Sequence, residues 1–277
     1  MSSYEQYART SQHYDLTRRP VGWEIIAGLL VAQDHPAGRL ELLDAGCGTG
    51  SYAQTLVPYT GRITGVDGSA GMLERAGDKL RDEVAAGHVT LLTAQLTDLP
   101  LADASFDAVM INQVLHHLPD DPAGGWPMHR AVLAELARVL RPGGLLVITT
   151  ASQDQLRQGY WYYELVRPAA ERLRSRYIPL ETLAAMLADL GLPTMARTVP
   201  LDAVLQAEAY FDATGPLEQP WRDGDSVWAL ATADERESAL DRLRRLDADG
   251  RAQDFLVEHD APRSRVGQVT IAHASRG

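Results

Sequence analysis

The sequence predicts an α/β fold built on a parallel sheet, and three observations carry that prediction. An apolar run (Leu40, Leu42, Leu43) passes without a linker into glycines at alternate positions, Gly46, Gly48 and Gly50. That is how a buried parallel strand hands over to a tight loop where backbone is approached closely. A second run, Phe106 to Ile111, is apolar except for Asp107 and has the length of a strand buried on both faces. Third, strand-like and helix-like stretches alternate along the first half of the chain, the pattern of βαβ units.

Composition bounds the class. The 277 residues suffice for one α/β domain plus an insertion or cap, and a hydrophobic fraction of 45% supports a large core. Net charge is −11 with no basic block, so nucleic acid is not the expected partner. Lys79 is the single lysine, and the arginine and alanine bias suggests a GC-rich bacterial coding sequence. Cys47 is the only cysteine, so neither an internal disulfide nor a cysteine metal cluster is expected. No leader-like segment and no apolar run of about 20 residues is found, which reads as a soluble, cytoplasmic protein without membrane association.

In chain order, a polar segment with Tyr14, Arg18 and Arg19 precedes a helix predicted over 21–34, with Trp23, Ile26, Leu29 and Leu30 at near-helical spacing. After the first strand and glycine loop comes a helix from about Tyr52, then a strand over 62–67 ending in Asp67. Ser69 caps a helix over 70–84; strands follow at 88–94 and 105–111, a helix at 128–140, a stop at Arg141-Pro142-Gly143-Gly144, and a strand at 145–150.

The loop's details discriminate between ligands. A dinucleotide site wants Gly-x-Gly-x-x-Gly, but here the spacing is Gly-x-Gly-x-Gly and Ser51 replaces the third glycine. Asp44 closes the strand where a pyrophosphate would be repelled, whereas it would help a ligand carrying an ammonium group. Asp67, about twenty residues on, is placed to accept hydrogen bonds from ribose hydroxyls. The segment Asp-Ala-Gly-Cys-Gly-Thr-Gly (44–50) resembles the first signature of class I S-adenosylmethionine-dependent methyltransferases. Two further matches follow in order, the Phe-Asp…His-His-Leu stretch from Phe106 to Leu118 and Arg-Val-Leu-Arg-Pro-Gly-Gly-Leu-Leu from Arg138.

That resemblance covers residues 40–150 and implies a Rossmann-like seven-stranded sheet, its last strand antiparallel, that binds S-adenosyl-L-methionine and releases S-adenosyl-L-homocysteine. It implies cofactor contacts at Asp44, Ala45, Gly46, Gly48, Asp67, Gly68, Met72, Ala94, Gln95, Leu96, Asn112 and Gln113. Met72 would pack on the adenine ring. Gln95 departs from the family, which usually has Asp there, but its amide oxygen can still accept from the adenine amino group. Arg19 would pair with the cofactor carboxylate. The domain plan is an N-terminal lid and first helix (1–36), the cofactor-binding core (37–151), remaining core elements with an inserted, mostly helical substrate cap (152–265), and a last strand (266–277).

Methyl transfer requires alignment of the nucleophile and, where the nucleophile carries a proton, a base. His117 is the first candidate, at the cofactor's reactive end by resemblance; Tyr14 and Glu208 are the others. On a helix His116 and His117 point about 100° apart, so only one faces the pocket; His116, Tyr160, Trp161 and Tyr163 are expected on the substrate. Aromatic density favours a small aromatic methyl acceptor, with C-methylation of an indole-type secondary metabolite as the first option and O- or N-methylation as the second. A protein methyltransferase, an NAD(P)-dependent oxidoreductase and a non-catalytic cofactor binder are the competing readings. No metal is expected, and a homodimer is left open.

Overall fold

A computed structural model describes residues 19–33 and 38–277. Tyr14 and Arg18 lie outside the described residues.

The elements in order are α1 (Trp23–Val31), β1 (Glu41–Ala45), α2 (Ser51–Leu56), β2 (Arg62–Asp67), α3 (Ala70–Lys79), α4 (Arg81–Ala85), β3 (Val89–Thr93), β4 (Phe106–Asn112), α5 (Pro127–Val139) and β5 (Leu140–Thr150). Then come α6 (Gln153–Gln158), α7 (Arg167–Arg174), α8 (Leu180–Asp189), β6 (Ala196–Thr198), α9 (Gln219–Asp223), α10 (Ser226–Leu230), α11 (Ala233–Ala248), α12 (Ala252–Asp260), α13 (Arg263–Val266) and β7 (Thr270–Ser275).

The seven strands form one sheet in the order β3-β2-β1-β4-β5-β7-β6. β1 pairs in parallel with β2 and β4, and β7 runs antiparallel to both β5 and β6. Strand order therefore reverses between β1 and β4, and a crevice opens at their carboxyl ends, where ligands bind in open α/β sheets. The period-two geometry of the strands sorts their side chains onto two faces. Leu42, Ala108, Met110 and Val147 pack under α1 with Ile26 and Leu30. Leu43, Val109, Ile111 and Ile148 pack under α5 and α8 with Val132, Leu136 and Leu183. A third core belongs to the helical lobe and is built from Trp161, Tyr162, Tyr210, Trp221, Trp228 and Phe255.

Several element boundaries differ from expectation. The helix predicted over 70–84 breaks at Leu80 into α3 and α4. β5 starts at Leu140, because the Arg-Pro-Gly-Gly stretch stays in the sheet through an irregular register with β4, and Gly143 at φ 78° donates its N–H to Arg276. Between β5 and α8 lie three short helical pieces, α6, a 3₁₀ stretch (Trp161–Leu165) and α7. The last strand begins at Thr270 and not 266, since residues 263–266 close a helical turn ending at Gly267, φ 66°.

Candidate cofactor and acceptor site

The glycine loop is shaped by three left-handed residues, Gly46 (φ 74°), Gly48 (φ 53°) and Gly50 (φ 76°). A Cβ on Gly46 would sit 2.5 Å from Val114, and one on Gly50 would sit 2.7 Å from Leu80, whereas one on Gly48 would meet nothing within 4 Å. Two of the glycines are thus required by packing as well as by dihedral angle, and only Gly48 leaves its space open. The N–H groups of Gly46 and Cys47 both donate to Val66 of β2, and the N–H of Gly48 donates to Asp67 Oδ2 at 3.0 Å. Lys79 reaches from the end of α3 to Ser51 Oγ (2.8 Å) and Thr49 Oγ1 (3.2 Å), tying the loop to the next helix. Nothing in the local sequence signals that tie, because the partners are about thirty residues apart.

Asp67 ends β2 with one oxygen on Gly48 N–H and the other on Ser69 N–H at 2.8 Å. Burial raises its pKa against the pull of those two N–H groups and of nearby His117. Each carboxylate oxygen keeps a lone pair, enough to accept from a diol. A cavity of about 130 Å³ opens beside it, walled by Gly46, Gly68, Ala94, Gln95, Leu96, Val114, His117, Leu118, Met128 and Val132. α5 fixes one of the loops around this cavity. Glu135 accepts from Leu99 N–H, and Arg138 donates to the carbonyls of Leu99 and Leu101, which anchors the loop that carries Gln95 and Leu96.

A second cavity adjoins at the end of β1 and β4. Its wall includes Arg19, Asp44, Gly46, Gly48, Ser51, Asn112 and Gln113, with Leu205 from the helical lobe. The polar groups here are under-satisfied. Asp44 Oδ2, Asn112 Nδ2 and Gln113 Nε2 are buried with no hydrogen-bond partner among the described residues. Asn112 Oδ1 accepts from Thr149 Oγ1 at 2.6 Å, and Gln113 holds a left-handed backbone (φ 57°) while its N–H donates to Thr149. Burial, with help from the charge on Asp67, pushes the Asp44 carboxyl up to about 7. A buried carboxylate without a counter-charge is costly, and a cationic group at this point would restore it to the ionised state.

These two cavities meet at Gly46 and have complementary chemistry. One offers a diol acceptor and an apolar slot; the other offers a carboxylate, two amide donors and a guanidinium. S-adenosylmethionine has the matching parts, and the residues present fit the group: Asp67 would hold the ribose, Gln95 and Leu96 would flank the adenine, Asp44 would meet the ammonium, and Arg19 would face the carboxylate.

Comparison with known proteins agrees. Residues 43–148 match the family model described as a methyltransferase domain. This stretch is a class I S-adenosylmethionine-dependent methyltransferase domain, and S-adenosylmethionine is its cofactor. The chain is 40% identical over 114 residues to O-methyltransferase rstn1 of Aspergillus nomiae, covering 41% of this chain and 47% of that protein. It is 35% identical over 150 residues to demethylmenaquinone methyltransferase of Lactiplantibacillus plantarum, covering 52% and 60% respectively. The chain thus spans about half the length of the curated relatives it matches. Among solved structures, a putative methyltransferase from an antibiotic biosynthesis pathway of Anabaena variabilis aligns at TM-score 0.70 and 22% identity, covering 91% of this chain and 96% of that one. Geranyl diphosphate C-methyltransferase of Streptomyces coelicolor aligns at TM-score 0.51 and 16% identity, covering 92% and 79%. Those two likenesses establish the fold.

Of the residues singled out from sequence, the structure gathers Arg19, Asp44, Gly46, Gly48, Asn112 and Gln113 around one cavity, and Gly46, Asp67, Gly68, Ala94, Gln95 and Leu96 around the other. Others fall elsewhere. Ala45 is sealed in the core below the loop. Met72 is buried and walls neither cavity, because Ser69 caps α3 by accepting from Met72 N–H and presents itself to the cavity instead. His117 lines the cavity beside Asp67 and is not among the residues walling the cavity at Asp44 and Asn112. His116 and His117 do not diverge: they sit in a 3₁₀ turn (Leu115–His117) with ring centroids 4.0 Å apart, and His116 stacks on Tyr177 at 4.4 Å. Tyr160, Trp161 and Tyr163, expected on the substrate, are core of the helical lobe. Trp161 is fully buried with its indole N–H on the Tyr210 carbonyl, Tyr160 donates to the Gln268 carbonyl, and Tyr163 stacks on Tyr160. Glu208 is exposed in a wider cleft that also includes Arg19, Trp23, Lys79, Val204 and Phe211, and the structure does not bring it to His117. Among the described residues no group of histidine, cysteine and carboxylate side chains is arranged to hold a metal, and no helix is long and apolar enough to cross a membrane.

Proposed function

We propose that this protein transfers the methyl group of S-adenosylmethionine to a small, flat, mainly apolar acceptor, with an aromatic hydroxyl as the first choice of nucleophile and an indole-type carbon as the second. The observation that carries the small-molecule reading is Leu205. Leu205, from the helical lobe, lines the methionine-end cavity and its carbonyl accepts from Arg19 N–H, so the lobe borders one side of the cavity, which supports a small acceptor over a protein chain. The adjoining cleft shares Arg19, Pro20 and Ser51 with that cavity and carries Trp23 and the 45%-exposed Phe211, a surface suited to a planar ring. The names of the matched relatives, O-methyltransferases and a demethylmenaquinone methyltransferase, support acceptors of this class. They favour methyltransfer over the oxidoreductase reading.

The cofactor, when bound, would supply a methyl group activated on a sulfonium, with the neutral thioether of S-adenosylhomocysteine as the leaving group. The chain's own task is alignment and exclusion of water. Asp44 and Arg19 fix the amino-acid end, Asp67 fixes the ribose, and Asn112 and Gln113 leave two amide donors at the end of β4 to orient an oxygen. Glu208, exposed in the cleft, is the proposed acceptor of the departing proton, with Tyr14 as the second candidate. His117 is reassigned to the adenosine half.

The test is a thermal shift with S-adenosylhomocysteine and with NAD, followed by turnover on hydroxylated aromatics and indoles, with Glu208→Gln assayed on any substrate found. Stabilisation by S-adenosylhomocysteine alone is expected. Stabilisation by NAD alone would overturn the reading in favour of an oxidoreductase.

A further inference from the structure

α5 begins with a feature that neither the cofactor contacts nor the transfer chemistry uses. His129 and Asp120 are buried together, with side chains 0% and 2% exposed, and His129 Nδ1 lies 2.5 Å from Asp120 Oδ2. Asp120 also accepts from the backbone N–H groups of Met128 (3.1 Å), His129 (2.7 Å) and Asp121 (2.8 Å), so both its oxygens are occupied. Burial raises the Asp120 pKa, but these bonds more than offset it and hold the group low; burial lowers that of His129 against the pull of the carboxylate. The pair at neutral pH is therefore a carboxylate receiving the Nδ1 proton of a neutral imidazole. His129 Nε2 is buried without a partner among the described residues, and the Trp126 ring packs edge-on against the imidazole at 4.9 Å.

The position of the pair gives it a purpose. The chain leaves the 3₁₀ turn through Leu118 and Pro119, loops outward from Asp120 to Trp126, where Gly125 (φ 78°) and Trp126 (φ 61°) are left-handed, and returns as α5 with Met128 and Val132. Leu118 and Pro119 on the way out, and Met128 and Val132 on the way back, all wall the adenosine cavity. Asp120 and His129 join the two limbs of this loop directly behind that wall.

We propose that Asp120 and His129 are positioning residues for the adenosine half of the cofactor: the pair staples the 118–129 loop so that its apolar wall is formed before any nucleoside arrives. This rests on the cofactor reading given above. A preformed wall spares the ligand the ordering of the 118–129 loop, and such ordering is otherwise subtracted from affinity.

Calorimetric titration of the 277-residue protein with S-adenosylhomocysteine and with 5′-methylthioadenosine, which lacks the amino-acid end, tests this. His129→Leu and Asp120→Ala should weaken both ligands by a similar factor, roughly tenfold or more if a buried charge-assisted bond is lost. His129→Gln, whose amide can still donate to Asp120, should recover most of the affinity. Arg19→Ala, at the other end of the site, should weaken S-adenosylhomocysteine alone. Unchanged affinity for both nucleosides in folded His129→Leu and Asp120→Ala would overturn the proposal while leaving the methyltransferase reading intact. If the wild-type protein bound neither nucleoside, both would fall. Should the variants not fold, hydrogen exchange on the wild type decides: the amides of Met128 and His129 are expected to be equally protected with and without S-adenosylhomocysteine, and protection that appears only with the ligand would refute a preformed wall.

Discussion

Replacing Asp44 by Asn should make the ligand-free protein more stable and the cofactor site worse. In the folded chain the Asp44 carboxyl is pushed up to about 7 from an ordinary 3.8, first by burial and then by the charge on Asp67. A carboxyl with a raised pKa binds its proton more tightly in the folded state than in the unfolded one. Its ionisation therefore removes stability as pH rises from about 4, and the loss is complete above about 7. The difference of about three pH units corresponds to ~4 kcal/mol, an upper bound because the surroundings relax. In the variant this penalty is absent at every pH. Thermal unfolding of both proteins without ligand should show similar midpoints near pH 4 to 5 and a gap opening in favour of Asp44→Asn toward pH 8, by several degrees, at about 2–4 °C per kcal/mol for a chain of this size. S-adenosylhomocysteine should then act oppositely. The wild type gains an ammonium partner for its orphan oxygen and should bind more tightly from pH 6 to 8 with release of a proton, whereas Asp44→Asn should lose roughly ten- to a hundredfold in affinity. A variant less stable than the wild type at pH 8, or one that binds S-adenosylhomocysteine equally well, would refute the assignment of Asp44 as a carboxylate waiting for a cation.

Two other substitutions probe the frame of the site. Gly46→Ala puts a Cβ 2.5 Å from Val114 at a φ of 74°, and should cost roughly 1–3 kcal/mol in urea unfolding while narrowing the junction between the two cavities; a change below about 0.5 kcal/mol, the range of a surface substitution, would contradict that geometry. Trp161→Ala removes a fully buried ring and leaves the Tyr210 carbonyl without its indole donor, so a loss of about 3–5 kcal/mol is expected in denaturant unfolding. Near-wild-type stability together with abolished turnover would instead return Trp161 to the substrate.

The sequence by itself determined what depends on near neighbours in the chain. β1 and β4 follow from apolar runs whose alternate residues must be buried on two faces, and the loop after β1 follows from glycines, which adopt left-handed backbone without a Cβ penalty. Asp67 is legible because a βα unit places the next strand's end at a nearly constant distance in sequence. This was enough to identify the cofactor and to single out Asp44 and Asp67, which the structure places on two adjoining cavities. The tertiary structure decided what depends on which surfaces meet. Tyr160, Trp161 and Tyr163 have the composition of either a binding face or a core, and only the packing of α11 and α12 around them makes them core. The two histidines were read with α-helical spacing, but a 3₁₀ turn sets their rings side by side and sends His117 toward Asp67. Met72 turned inward once Ser69 capped its helix. The contacts that hold the site in shape, Lys79 on Ser51, Glu135 and Arg138 on the loop at Leu99, and His129 on Asp120, join segments through side chains whose spacing along the chain carries no periodic signal. Local sequence specifies backbone conformation; the closing of polar groups on one another needs the whole fold in place.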